Sequence, residues 1–400
     1  DQSPSRRVIN FNDWPLTRHT AEEWKALPNT EKETINDRIF KELTIVKAPH
    51  WFGGKVASDY IECLNIVQKL VKPERDNLLN GNTTAIDRGK RWWQFARPTI
   101  LLYNSISLLE RVLVITRVSK YVNVAYVPSK LIFMDKIVVL TFEKSQYLSS
   151  LQSSIYDYWA WKYSSTLGGG TINFSPDDCF ESFPFSQNLE NKQEQLLEQI
   201  GEQYHEHRRQ LMLKMQLGLT KTYNAFHARE INANLPASAV LAALDKKTIE
   251  KQYGKEVWNL WNHLQKTPNT CSMEEAIASI VKLRELHLQM DNEVLEAYGW
   301  SQNGWSLSGA EAPATQAPAL QLRHNFYEVD YLPENDRMRY TIHPEARKEI
   351  LKRLLELNHK IHQEEVNAGL WDKKKPPSKT KTEMNEVNEP RENYGQGSLF

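Results

Sequence analysis

The sequence is poor in cysteine, carries no net charge and has no long apolar run, and each shortage removes a class of protein. Cys63, Cys179 and Cys271 lie far apart and never form a C-x-x-C pair, which argues against a disulfide framework or a cysteine zinc site. That usage fits a reducing cytoplasm. No stretch approaches the roughly 20 apolar residues of a membrane helix, and the opening DQSPSRRVINFNDW has no signal-peptide core, so no membrane partner is expected. The chain starts without Met and reads as a piece of something longer. Fifty basic residues balance fifty acidic ones, so a nucleic-acid surface has to arise from local segregation of charge.

A chain of 400 residues accommodates two or three compact units. Residues 1–91 read as a helical and loop lead-in: TAEEWKAL and TEKETINDRIFKELTIV are helical, APHWFGGK is turn-rich, and Tyr60, Leu64, Val67 and Leu70 recur at helical spacing before Pro73. Residues 92–187 read as an α+β unit. RVLVITRV, VNVAYVP and KIVVLTF predict consecutive strands of a small sheet, YLSSLQSSIYDYWAWKY (147–163) predicts one helix packed on it, and LGGGTINFSPDD predicts a flexible return loop. Residues 188–300 read as a long-helix spacer and helical region, with helices over 188–217, 238–265 and 272–297. In the first, Leu189, Leu196, Ile200, Tyr204, Leu211 and Met215 form a stripe. Glu190, Glu194, Glu198, Glu202 and Glu206 repeat every four residues on a self-repulsive face that must stay solvated or meet cations. Residues 301–338 read as a flexible insertion, 339–371 as a C-terminal helix and 372–400 as a disordered tail. The fold class expected is α+β: a small mixed sheet with helices, flanked by a long-helix spacer and further helical segments.

Charge segregates between 88 and 130. Arg88, Lys90, Arg91, Arg97, Arg111, Arg117, Lys120 and Lys130 face the single acid Glu110, a local charge of +7 in a neutral chain. Trp92, Trp93, Phe95, Tyr103, Tyr121 and Tyr126 are interleaved with them, the mixture that a phosphate-contacting surface with nearby stacking groups requires. Paired tryptophans also serve as core or seam anchors, and the cluster is equally a solvated face or a complement to the glutamate stripe.

Several stretches carry a family resemblance. SRRVINFNDWPL (5–16), LVKPERDNL (70–78), RWWQFARP (91–98), RVSKYVNVAYVPS (117–129), DKIVVLTF (135–142), SSTLGGGTINFSPDDCFESFPF (164–185), GLTKTYNAFH (218–227), LRELHLQMDNEVLEAYGW (283–300) and RYTIHPEARKEILKRLLELNH (339–359) occur in this order. Together they resemble the C-terminal half of large adenine-N6 DNA methyltransferases of bacterial restriction-modification and phage-defence systems. The resemblance implies that 92–187 is the target recognition domain, that long helices hold it against a methyltransferase domain upstream of the INF-x-DWP stretch, and that S-adenosylmethionine is the cofactor of the parent enzyme.

The same resemblance exposes an absence. Adenine-N6 transfer uses a [DNS]-P-P-[YFW] loop around the flipped base, and the only Pro-Pro here is Lys375-Pro376-Pro377-Ser378 in the polar tail. Gly168-Gly169-Gly170 follows a helix, and WFGGK at 51–55 has no strand before it, so neither forms a strand-glycine-helix cofactor site. No catalytic residue, bound cofactor or metal is expected. His205 with His207, and His359 with His362, lack a third donor, and Glu181-Ser182-Phe183 downstream of Asp177 supplies no lysine for metal-dependent cleavage. Phe180, Phe183 and Phe185 read as core, and Lys373 to Lys375, Lys379 and Lys381 as a solvated end.

Arg88, Lys90, Arg91, Arg97, Arg117, Lys120 and Lys130 are therefore the candidate DNA-contacting residues, with Trp92 and Trp93 anchoring their segment at the seam between lead-in and sheet. The expected function is sequence-specific recognition of double-stranded DNA as the specificity part of an adenine-N6 methyltransferase, with a methyltransferase domain or subunit, and other defence proteins, as partners. The alternative is a protein-interaction scaffold that docks a separate methyltransferase or defence-system subunit.

Overall fold

The computed structural model describes residues 6–18, 55–97, 99–187, 189–301 and 319–371. The helices read at 21–46, the WFGG turn, Pro98, the Ser/Gly/Ala/Pro-rich stretch at 302–318 and the tail from 372, with its Pro-Pro and lysines, lie outside the described residues. The protein is α+β: small antiparallel sheets set among helices.

After the segment at 6–18 come α1 (Ile61–Leu70), α2 (Lys72–Asp76), α3 (Thr83–Lys90) and α4 (Ile100–Ile106). Pro73 does not end helicity. It occupies the first turn of α2, where its missing N–H costs nothing. The central sheet holds β1 (Arg111–Thr116), β3 (Val124–Pro128) and β4 (Ile137–Leu140) in the order β3-β1-β4, with β1 antiparallel to both neighbours. Alternation along the strands sends Leu113, Ile115, Val124, Tyr126, Val138 and Leu140 to the main core. Val114, Val127 and Ile137 face the other way, into a groove.

The aromatic stretch expected as one helix is two, α5 (Ser145–Gln152) and α6 (Ser154–Tyr163). Ser153 between them is extended at φ −68°, ψ 155°, and its Oγ accepts from the Tyr156 N–H at 3.2 Å, so a serine offers the backbone an N-cap in place of helix continuation. The expected return loop is also structured. β5 (Ser165–Leu167) and β6 (Thr171–Asn173) form a hairpin, and β2 (Val118–Ser119) pairs with β6.

Helix α7 (Asn191–Met215) follows, and its buried face carries Leu197, Ile200, Tyr204, Leu211 and Met215; Leu197, not Leu196, is the inward residue. A Cβ on Gly201 would meet the Ser145 carbonyl oxygen at 2.3 Å, so α5 and α7 approach more closely than any side chain at 201 allows. Arg208 is buried at their junction with the sheet, donating to Gln152 Oε1 at 2.8 Å and to the Tyr223 hydroxyl at 3.1 Å. The glutamate stripe is met by cations in part: Glu202 pairs with Arg111 at 2.9 Å and Glu206 with Arg209 at 2.8 Å.

The remaining helices are α8 (Leu219–His227), α9 (Ser238–Ala242), α10 (Lys246–Tyr253), α11 (Lys255–Lys266), α12 (Met273–Ala297) and α13 (Pro344–Asn367). The continuous helix expected over 238–265 is broken twice, before Asp245, whose side chain caps α10 by accepting from the Thr248 N–H, and at Gly254, whose φ of +95° suits glycine alone. Ordered chain resumes before residue 338, contrary to the flexible insertion expected there: β7 (Asn325–Glu328) pairs with β8 (Met338–Thr341). Arg284 of α12 closes the end of α8, donating to the carbonyls of Phe226 at 2.8 Å, Ala228 at 2.8 Å, Ala225 at 3.1 Å and Ile231 at 2.5 Å.

Candidate nucleic-acid interface

A second, smaller core holds the site together. Phe11, Ala57, Leu64 and Val67 are buried, with Trp14, Trp92 and Trp93 packed against them. Trp92 and Trp93 meet edge to face at 6.0 Å. Trp93 Nε1 and Gln94 Nε2 each donate to the Trp14 carbonyl at 2.8 Å, tying the INFNDW stretch to the RWWQ stretch across about eighty residues of sequence. The tryptophan pair is thus an anchor, and it fixes the neighbouring chain at residues 6–10 beside the sheet.

The consequence is a groove of ≈ 990 Å³ on the open face of the central sheet. Val114, Val127 and Ile137 lie in its wall, with Ile100 and Tyr103 of α4. Four cations line it, Arg6, Arg7, Arg97 and Lys130, against one carboxylate, Asp135. All four are exposed, and among the described residues none has an ion-pair or side-chain hydrogen-bond partner. An unpaired guanidinium or ammonium in a concave surface stays fully available to an anion, and its neighbours raise the local positive potential.

The seven candidate residues divide. Arg97 and Lys130 enter the groove. Arg88 and Lys90 lie in the last turn of α3, and Arg117 is exposed after β1, its N–H donating to the Lys136 carbonyl at 2.8 Å. The other two are already committed. Arg91 pairs with Asp87, an acid one residue outside the basic window, and Lys120 pairs with Asp336 at 3.0 Å. Burial pushes the Asp336 carboxyl up, but hydrogen bonds from Arg339 and Lys120 outweigh it and hold that carboxyl below its usual range. Arg111 is likewise spent on Glu202 and stacks over the Tyr126 ring at 3.9 Å.

Sequence reasoning missed Arg6 and Arg7. The signal was present, an Arg-Arg pair inside SRRVINFNDWPL, but charge counted along the chain does not see a contact between residues 6 and 97. Of the interleaved aromatics, Phe95 and Tyr103 face the groove, whereas Tyr121 and Tyr126 are buried in the main core.

The glycine run does not form a nucleotide site. Gly168 and Gly169, at φ +60° and +75°, turn the β5–β6 hairpin, so a strand and not a helix N-terminus follows the glycines. Among the described residues no three His, Cys, Asp or Glu gather to hold a metal, and His207 instead bonds the Ser279 carbonyl at 2.8 Å. Ser154, His287 and Asp291 lie together in the main core, but Ser154 Oγ at 3.0 Å and Asp291 Oδ2 at 3.6 Å both approach the same His287 nitrogen, Nε2. A relay through the two ring nitrogens is therefore not formed. No described helix is long and apolar enough to cross a membrane.

Two substitutions test this architecture. Trp93→Phe with Gln94→Leu keeps the apolar bulk and strips both donors from the Trp14 carbonyl, at an expected cost of about 1–3 kcal/mol. Because the small core is separate, the loss is expected as faster proteolysis at 6–18 with the main melting transition retained. Elsewhere, burial pushes the Asp157 carboxyl up to about 6, against the hydrogen bond it accepts from Tyr331 at 3.1 Å. Its folded value exceeds the unfolded one near 3.9, so the folded state binds the extra proton and stability falls as pH rises from about 4 to 6. Asp157→Asn, which still accepts from Tyr331, is expected to stabilise by up to about 3 kcal/mol above pH 6 and by nothing below pH 4 in denaturant melts.

No protein-family model matches the chain, and no curated protein matches it. Among solved structures it is similar to the type IIL restriction-modification enzyme MmeI in complex with DNA, at 12% identity and a TM-score of 0.37 over 76% of this chain and 34% of that one. The chain thus spans about a third of the length of that enzyme.

Proposed function

We propose that this chain binds double-stranded DNA through the cationic groove and serves as the specificity-determining part of an adenine-N6 DNA methyltransferase of a restriction-modification or phage-defence system. One observation carries the DNA reading: Arg6, Arg7, Arg97 and Lys130 converge on one open face of the sheet without an ion-pair partner among the described residues, in a chain with no net charge. Four unneutralised cations against one acid suit a sugar-phosphate strand, because each contact releases condensed counterions. The ordered series of stretches from SRRVINF to RYTIHPEARKE supports the methyltransferase part of the reading. In it, S-adenosylmethionine and the target-base pocket belong to a methyltransferase domain or subunit, and this chain supplies the address.

The scaffold alternative has its own surface. Ile61, Ile66 and Leu70 of α1 are 57%, 51% and 68% exposed, away from the groove, and suit a protein partner. Anisotropy with a randomised pool of 30-base-pair duplexes separates the two readings. A recognition module enriches particular sequences, and a pure scaffold retains no duplex at any salt. Radiolabelled S-adenosylmethionine in the same reaction is expected to transfer no methyl group to DNA with this chain alone. Transfer would overturn the assignment of catalysis to another domain or subunit.

A further inference from the structure

The connection between β3 and β4 carries a second kind of signal. Pro128 ends β3 opposite Arg111, at the start of β1, and Ile137 begins β4 opposite Thr116, at its end. β3 and β4 therefore run parallel on either side of β1, and residues 129–136 have to return along the whole strand over one face of the sheet. They lie with Val114, Val127 and Ile137 in the groove, so the face crossed is the open one. The path combines the length of β1, about 17–20 Å, with two inter-strand steps of about 5 Å each at right angles to it, a diagonal of roughly 20 Å. Nine Cα steps span that distance with turns at 129–130 and 134–137, the second closed by the Ile137 N–H on the Met134 carbonyl at 3.0 Å, and between these turns the connection is drawn out as a strap.

A drawn-out strap alternates. Leu131 and Phe133 are half-buried, with the Phe133 N–H donating to the Tyr103 hydroxyl at 3.1 Å, while Lys130, Ile132 and Met134 are exposed. Ile132 and Met134 are 39% and 67% exposed, and they stand beside cations that have no ion-pair partner among the described residues. Exposed apolar side chains of this size mark a contact surface, and a partner with apolar spots between two rows of negative charge is a DNA groove. Its phosphates form the rails, and in the major groove each thymine presents a C5-methyl between them.

We infer that the strap enters the major groove and that Ile132 and Met134 read thymine methyl groups, with Lys130, Arg97, Arg6 and Arg7 holding the phosphates on either side. The inference rests on the groove being the DNA site. On this assignment the arginines position the duplex and the apolar pair supplies sequence preference.

The test begins with the full chain and duplexes it selects from a randomised pool. Replacing thymine by uracil in the selected sequence deletes only the C5-methyl and is expected to weaken wild-type binding about fourfold for each methyl contacted. The Ile132→Ser, Met134→Ser variant is expected to bind thymine and uracil duplexes equally, with the wild-type dependence on salt. Both side chains are exposed, so its melting temperature is expected to match the wild type, and a Lys130→Ala variant is expected to lose affinity equally on every sequence. An unchanged uracil penalty in the serine variant, a selected sequence without thymine, or no selection at all overturns the strap assignment while leaving the phosphate groove standing. Absence of duplex binding by the wild-type chain fells both.

Discussion

Replacing Arg6, Arg7, Arg97 and Lys130 together by alanine is expected to weaken duplex binding by roughly three to four decades near 0.1 M salt. The magnitude follows from counterion release. Each phosphate contact contributes about 0.9 to the slope of log affinity against log salt, so four contacts contribute about 3.6. Extrapolated to 1 M salt, where that entropic gain vanishes, wild type and variant are expected to converge. The fold should be retained, because all four side chains are exposed and none is paired among the described residues, and such surface changes usually alter stability by less than about 0.5 kcal/mol each. By contrast, Lys120→Ala is expected to leave DNA affinity largely unchanged and to act on the folded structure through Asp336. Equal losses from Lys120→Ala and Arg97→Ala would place the binding surface elsewhere.

The second large effect is on stability. Arg284→Met is expected to destabilise the protein by about 3–5 kcal/mol, read as a lower denaturant midpoint. The guanidinium donates to four carbonyls around the end of α8, and on its loss those of Phe226, Ala225, Ala228 and Ile231 would face an apolar side chain, with Ala225 and Ala228 each keeping one backbone N–H donor. It also lies over the Phe326 ring at 5.0 Å, so its loss loosens the β7–β8 hairpin. Arg284→Lys should recover only part of the loss, since an ammonium has three donors and no planar fork. A cost below about 1 kcal/mol for Arg284→Met would show that the helix end is satisfied without it.

The sequence made individual elements legible where local chemistry decides them. RVLVIT and IVVL became strands because β-branched residues pack on a pleated surface. The long helices at 191–215 and 273–297 followed their apolar stripes. What was not legible depends on contacts between distant residues. Strand order β3-β1-β4, and the strap it forces across the open face, cannot be read from three consecutive runs. Ser153 broke a helix that composition favours because its side chain competes for a backbone N–H.

The site shows the same division. The window from 88 to 130 includes Arg97 and Lys130, which line the groove, but it also includes Arg91 and Lys120, which Asp87 and Asp336 hold. It also omitted Arg6 and Arg7, which reach the groove only because Trp93 and Gln94 fasten the Trp14 carbonyl. Trp92 and Trp93 therefore do for the site what they do for the fold: they set where a separate stretch of chain lies.

The most direct measurement is the affinity of the full chain for one duplex, followed from low to moderate salt. A DNA site in the cationic groove predicts a straight line of log affinity against log salt, falling with a slope of about −3.6, and a nearly flat line for the four-alanine variant. Duplex affinity that ignores salt, or a slope the four alanines leave unchanged, would contradict it.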